Sequence, residues 1–176
     1  MSKIKDIRKH NRKKNLYEKV RRYICTKYLR LKAGSVGENV VANLYTKATK
    51  TTYIGENSSF NGMRISGKGS VRIGKYLHSG MDCRIITDVH NYEGEMIPYD
   101  DTDIVKDVII DDFVWIGTNV LILGGVHIGE GAIVQAGAVV VNDIPPYAIA
   151  GGNPAKVFKY RDKEHFLKLK AEGKFF

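Results

Sequence analysis

From Val114 to Val141 the chain reads VWIGTNVLILGGVHIGEGAIVQAGAVVV, one six-residue word repeated. Ile116, Ile122, Ile128, Val134 and Val140 stand six apart, as do Val114, Val120, Val126, Ala132 and Ala138. The frame reaches back to Ile110 and Ile104 and on to Ile144. Alternate side chains of a strand point to opposite faces. Val114 in, Trp115 out and Ile116 in therefore make one short strand. Gly117, Thr118 and Asn119 then make a corner, where glycine supplies unusual backbone angles. One strand and one corner per six residues make a coil, and stacked coils align the inward Ile and Val into ladders. The predicted fold class is an all-β solenoid, because the longer strands and hairpin turns of an antiparallel sheet are missing.

The outward positions between the ladders are Trp115, Leu121, His127, Ile133 and Val139, and four of these five are apolar. A lone solenoid does not show water so many large apolar groups. These faces are expected to pack against sister subunits or a ligand.

The coil is assigned to residues 34–155. It opens with VGENVV (36–41) and IGENSSFNG (54–62) and continues as IGKYLHSGMDCRIITDVH (73–90), with Ile73, Ser79 and Ile85 six apart. From Ile85 to Ile104 is 19 residues, not a multiple of six. The intervening NYEGEMIPYDDTD is therefore an excursion loop over 91–103. Val89 keeps the inward frame, which turns His90 outward. Residues 156–176, rich in Lys with Phe166, Leu167 and Leu169, predict a short helix that caps the solenoid. In residues 1–33, Leu16, Val20, Tyr23, Ile24, Tyr28 and Leu31 recur at three- and four-residue steps and predict an amphipathic helix at about 13–31.

The net charge of +9 is unevenly spread. Residues 1–32 hold 13 Lys and Arg against Asp6 and Glu18, while the rest of the chain holds 15 basic and 17 acidic residues. A nearly neutral body argues against a nucleic-acid partner. The basic helix has two readings: a peripheral helix on a membrane surface, or a helix packed on the body with a solvated charged face. No apolar run is long enough to span a bilayer, and no apolar segment of a secretory signal follows the basic N-terminus. Cys25 and Cys83 form neither a disulfide framework nor a metal spacing. The expected location is the cytoplasm, at the inner face of the membrane if the helix binds lipid.

The motifs IGENSSFN, IITDVH, VWIGTNVLILGGVHIGEGAIVQAGAVVV and IPPYAIAGGNPAKV resemble those of the hexapeptide-repeat acyltransferases, over about Ile54 to Val157. The likeness is greatest to the galactoside/maltose acetyltransferase branch and to the sugar O-acetyltransferases of capsule and lipopolysaccharide biosynthesis. The resemblance implies a left-handed parallel β-helix of triangular section. It implies a homotrimer with active sites between subunits, acetyl-CoA as acyl donor, and a sugar or glycan acceptor. The first 33 residues do not match the maltose enzymes, so acceptor identity does not carry over.

The resemblance also assigns site residues. His90, at the end of TDVH, matches the catalytic histidine. A neutral imidazole takes a proton near neutral pH, as acetyl transfer to a hydroxyl requires. Asn61 matches an asparagine of the acceptor and acyl site, where an amide holds a hydroxyl or the thioester oxygen; a turn asparagine is the plainer reading. Trp115, the single tryptophan, borders the pantetheine arm or the acceptor, and also suits trimer packing. Thr118, Ala136, Val141, Asn142 and Lys156 fall at positions that touch CoA. Val141 replaces a threonine of the galactoside branch, and Lys156 suits the nucleotide phosphates. No metal site is expected: His78, His90 and His127 lack the spacing of the zinc-binding carbonic anhydrases built on a similar coil. N-acetyltransferases of nucleotide-linked amino sugars and antibiotic acetyltransferases share the coil. A degenerate coil with a basic tail would instead be a non-catalytic scaffold, against which the intact His90 argues.

Overall fold

The computed structural model describes residues 2–176, with side chains from residue 15 onward. The chain opens with helix α1 (Ser2–Lys32) and then winds a parallel β-helix. The first coil holds β1 (Ser35–Val36) and β2 (Val41–Leu44). The second holds β3 (Thr52–Ile54), β4 (Ser59–Asn61) and β5 (Arg64–Ser66), and the third β6 (Val71–Ile73), β7 (His78–Met81) and β8 (Arg84–Ile86). A hairpin then leaves the coil as β9 (Asp88–His90) and returns as β10 (Asp103–Val105). The fourth coil is β11 (Val108–Ile110), β12 (Trp115–Ile116) and β13 (Leu121–Leu123), and the fifth β14 (His127–Ile128), β15 (Ile133–Val134) and β16 (Val139–Val140). The last coil has β17 (Ala148–Gly151); β18 (Lys156–Tyr160) pairs back on it, antiparallel, before helix α2 (Lys163–Ala171).

Three parallel sheets form the faces of a prism. The first joins β1, β3, β6, β11 and β14; the second runs from β2 through β4, β7, β12 and β15 to β17; the third joins β5, β8, β13 and β16. This is a left-handed β-helix. The six-residue frame becomes register: Ile54, Ile73, Ile110 and Ile128 align on the first face, and Ile65, Ile85, Ile122 and Val140 on the third. All eight are buried. Each such side chain contributes about 1.5–3 kcal/mol by leaving water, so a strand of two or three residues is held by its neighbours above and below rather than by its own length.

The corners differ from the expectation. Between the first and second faces the left-handed residue is mostly not glycine: Asn39, Asn57, Tyr76, Phe113 and Tyr147 all have positive φ there. Asn tolerates this region. The aromatic residues are held by contacts, since Tyr76 stacks on Phe113 with ring centroids 5.1 Å apart. Gly117 is required for closeness instead of angle: a Cβ there would lie 2.4 Å from the backbone N of Ala136 in the next coil.

The termini also depart from expectation. Helix α1 begins at Ser2 rather than near residue 13; neither Pro nor Gly stands in residues 2–12 to stop it. The segment 156–176 is more than a helix. It adds β18 to the second face, and its helix and tail then run back along the edge between the first and second faces. Phe166 meets Tyr147 and Phe113, Phe175 meets Tyr76 and Phe113, and Phe176 meets His78, so the segment crosses coils six to three. Asp162 caps α2, its Oδ1 accepting from the His165 N–H at 2.9 Å. No helix among the described residues is long and apolar enough to cross a membrane.

Candidate active site

The excursion occurs at the edge between the third and first faces, after Thr87. Val89 does not keep the inward frame. It is 50% exposed, because β9 has left the coil to pair with β10. Ile104 is likewise a hairpin residue, facing Val89 across the ladder, and the core frame resumes at Val108 and Ile110. The hairpin register sets His90 opposite Asp103.

That register builds a small array. His90 is exposed, with its Nδ1 3.3 Å from Oδ1 of Asp103. The other carboxylate oxygen of Asp103 receives the Lys68 ammonium. The Lys68 hydrogen bond, with a smaller contribution from His90, holds the Asp103 carboxyl below the usual range. Asp103 is therefore an anion at neutral pH, and its charge favours the proton of a neutral imidazole on Nδ1. Nε2 is left with its lone pair. Tyr99 lies flat on the other side, its ring stacked on His90 with centroids 4.1 Å apart and planes 11° from parallel.

The loop that brings Tyr99 here is internally tied. Asn91 N–H donates to Thr102 O at 3.0 Å. Asp100 accepts from the Thr102 hydroxyl and N–H and from the Glu95 N–H, which together lower its carboxyl. Beneath the hairpin, Thr87, Val89, Ile104, Leu123 and Val141 line a recess of about 220 Å³.

Within one chain the candidate residues fall on separate edges. Val141 and Asn142 follow β16 and share the edge of the His90 hairpin; Val141 lines the recess. Asn61, Thr118 and Ala136 lie along the edge between the second and third faces. Asn61 pairs in register with Met81, whose N–H meets Thr118 Oγ1, and Gly137 N–H donates to Thr118 O. Lys156, exposed and paired with Gly151, continues that edge. Asn61 has both amide ends engaged, donating to Ser79 O at 2.7 Å and accepting from Asn43 at 3.0 Å. Trp115 stands on the second face between His78 and Ile133 and is 56% exposed. The third face, about 10 Å wide for strands of this length, separates the two edges.

Three other reactive side chains are occupied. Cys83 is buried, its thiol bonded to Gly117 O at 3.1 Å and pushed up in pKa by burial, so it is a core group. His127 pairs with Asp111 at 3.0 Å, and His78 with Phe176 O at 3.2 Å. Among the described residues no three His, Cys, Asp or Glu gather where they would hold a metal ion.

Asp103, Lys68 and Tyr99 were not foreseen from the sequence. The broken six-residue count marked the excursion, but which residue faces His90 depends on hairpin register. The twelve residues from Asn91 to Thr102 do not announce it.

Residues 107–142 match the bacterial transferase hexapeptide, six repeats. The fold is similar to that of a hexapeptide-repeat-containing acetyltransferase of Vibrio cholerae O1 biovar eltor, solved with acetyl coenzyme A. The two are 29% identical over 74% of this chain and 73% of that one, with a TM-score of 0.66. It is also similar to a maltose O-acetyltransferase of Clostridium difficile 630, 25% identical over 82% and 88% of the two chains, TM-score 0.60. A chloramphenicol acetyltransferase of Agrobacterium fabrum is 41% identical over 68 residues, which are 39% of this chain and 32% of that protein. The chain thus spans about a third or less of the length of the curated relatives it matches. Repeat, register and fold agree: residues 107–142 carry the transferase hexapeptide repeat, and the chain has the left-handed β-helix fold of these acetyltransferases.

Proposed function

We propose that the protein is an acetyl-CoA-dependent O-acetyltransferase that acts on a sugar hydroxyl, with His90 as general base. The observation that carries this is the array of His90 and Asp103 on an exposed hairpin with Lys68 on the coil edge beside it. His90 Nε2 takes the acceptor's hydroxyl proton as its oxygen attacks the thioester carbonyl. The tetrahedral intermediate collapses, the C–S bond breaks, and the CoA sulfur leaves with the proton carried by His90. Asp103 steadies the imidazolium between the two transfers. The donor reading is supported by the Vibrio cholerae neighbour's complex with acetyl coenzyme A, and the sugar reading by the maltose enzyme.

The working form is a homotrimer. A single chain leaves Asn61, Trp115, Thr118, Ala136 and Lys156 away from His90. A neighbouring copy would set its second-to-third edge beside the His90 edge and enclose the donor between Val141, Asn142 and those residues. The partly exposed Trp115, Leu121, Ile133 and Val139 supply the apolar contact.

An amino sugar is the second reading. Glu93, Glu95 and Asp101 are exposed on the loop beside His90 and would receive an acceptor's ammonium group before it is deprotonated. Two measurements test the proposal. Acetyl-CoA should raise the melting temperature saturably, as any ligand selective for the native state does. Release of CoA thiol should then follow addition of hydroxyl-only or amine-only sugars. No shift and no release with either class would end the transferase reading; release with amines alone would move it to N-acetylation.

A further inference from the structure

Helix α1 turns its apolar stripe away from the coil. Leu16, Val20, Tyr23, Ile24 and Leu31 follow one another at helical steps, with Tyr17 beside them, and each is between 49% and 70% exposed. The contacts with the body lie on the opposite side. Leu29 is fully buried, Thr26 Oγ1 accepts the Ala42 N–H at 3.0 Å, and Arg21 donates to Asn43 O at 3.1 Å. Of the stripe marked by the sequence, only Tyr28 turns toward the coil, its ring meeting Tyr45 at 4.9 Å between centroids. Lys27 shares the outer side, over the Tyr23 ring, and Arg21, at the flank where the helix meets the body, lies over the Tyr17 ring.

Charge selects the occupant. A second copy of the helix would bring 13 Lys and Arg, with two acids, against an identical excess, and like charges at close range repel. A nucleic acid would take the cations but leave Leu16, Val20, Ile24 and Leu31 without a partner, since phosphate contacts dominate such binding. An anionic lipid surface takes both: headgroups meet Lys and Arg, aliphatic side chains enter the acyl boundary, and tyrosines sit at the level between. We propose that α1 is a membrane-surface helix that docks this protein on anionic lipid bilayers. The inference does not rest on the acetyltransferase reading.

The test is co-sedimentation of the full chain with vesicles of phosphatidylcholine alone and of phosphatidylcholine mixed with phosphatidylglycerol. Binding is expected to the anionic vesicles only and to weaken with salt. The exposed triple variant Leu16→Gln, Val20→Gln, Ile24→Gln should bind at least about tenfold less, while keeping its melting temperature and oligomeric size. Several results would overturn the proposal. They are no binding to anionic vesicles, equal binding by the variant, or an altered oligomeric size in the variant, which would make the stripe a subunit contact. Single-stranded RNA bound equally by variant and parent, in place of vesicles, would assign the helix to nucleic acid.

Discussion

The coil stack and the hairpin that interrupts it solve opposite problems. In the coil the inward residues are sealed: Ile65, Ile85, Ile122 and Val140 stand in register and are buried. In the hairpin Val89 and Ile104 face each other across the ladder outside the coil, and His90 and Tyr99 stay exposed, with Asp103 linking His90 to Lys68 on the coil edge. On the proposed function, the coil supplies an edge and the departure from it supplies the chemistry.

The separation can be tested from both sides. Ile122→Ala, in the middle of a ladder, should lower unfolding free energy by about 2–5 kcal/mol. The surviving folded protein should keep the proposed turnover per site. A thermal melt alongside an active-site-normalised rate checks both, and a rate that falls with stability intact would break the division of labour. Gly117→Ala should cost about 1–3 kcal/mol, because its new methyl would press on the backbone of Ala136.

Changes in the hairpin should do the reverse. Asp103→Asn should lower kcat by roughly tenfold or more and hardly move the neutral-pH melt, since the groups it touches are largely solvated. The sign with pH is fixed. The folded-state carboxyl lies below its ordinary value, so any stability it adds is present above the ordinary carboxylate range. That stability is lost as pH falls through the lowered folded value. The melting curves of parent and variant should therefore converge in acid; a gap that widens there would refute the ion-pair account. Tyr99→Ala should have the smallest effect, a rise of about a fewfold in acceptor KM as the imidazole loses its stacked neighbour.

Much of the coil was legible because its signal is local. Ile116, Ile122, Ile128, Val134 and Val140 repeat their word, and burial follows from the alternation of a strand. His90 was legible through its motif. Its surroundings were not: Val89 and Ile104 fit the inward rhythm on paper, yet the hairpin lifts both out of the core. Lys68 reaches Asp103 from 35 residues away in sequence, a contact that only coil stacking creates. The α1 stripe was visible, but its direction depends on which side Leu29 and Thr26 present to β2.

The most direct test of the account is the rate of CoA thiol release by His90→Ala beside the parent protein, with acetyl-CoA binding measured in both by thermal shift. The account predicts unchanged donor binding and a loss of turnover of about a hundred- to ten-thousandfold. A near-normal rate with normal binding would remove His90 from the chemistry and leave the hairpin without its assigned role.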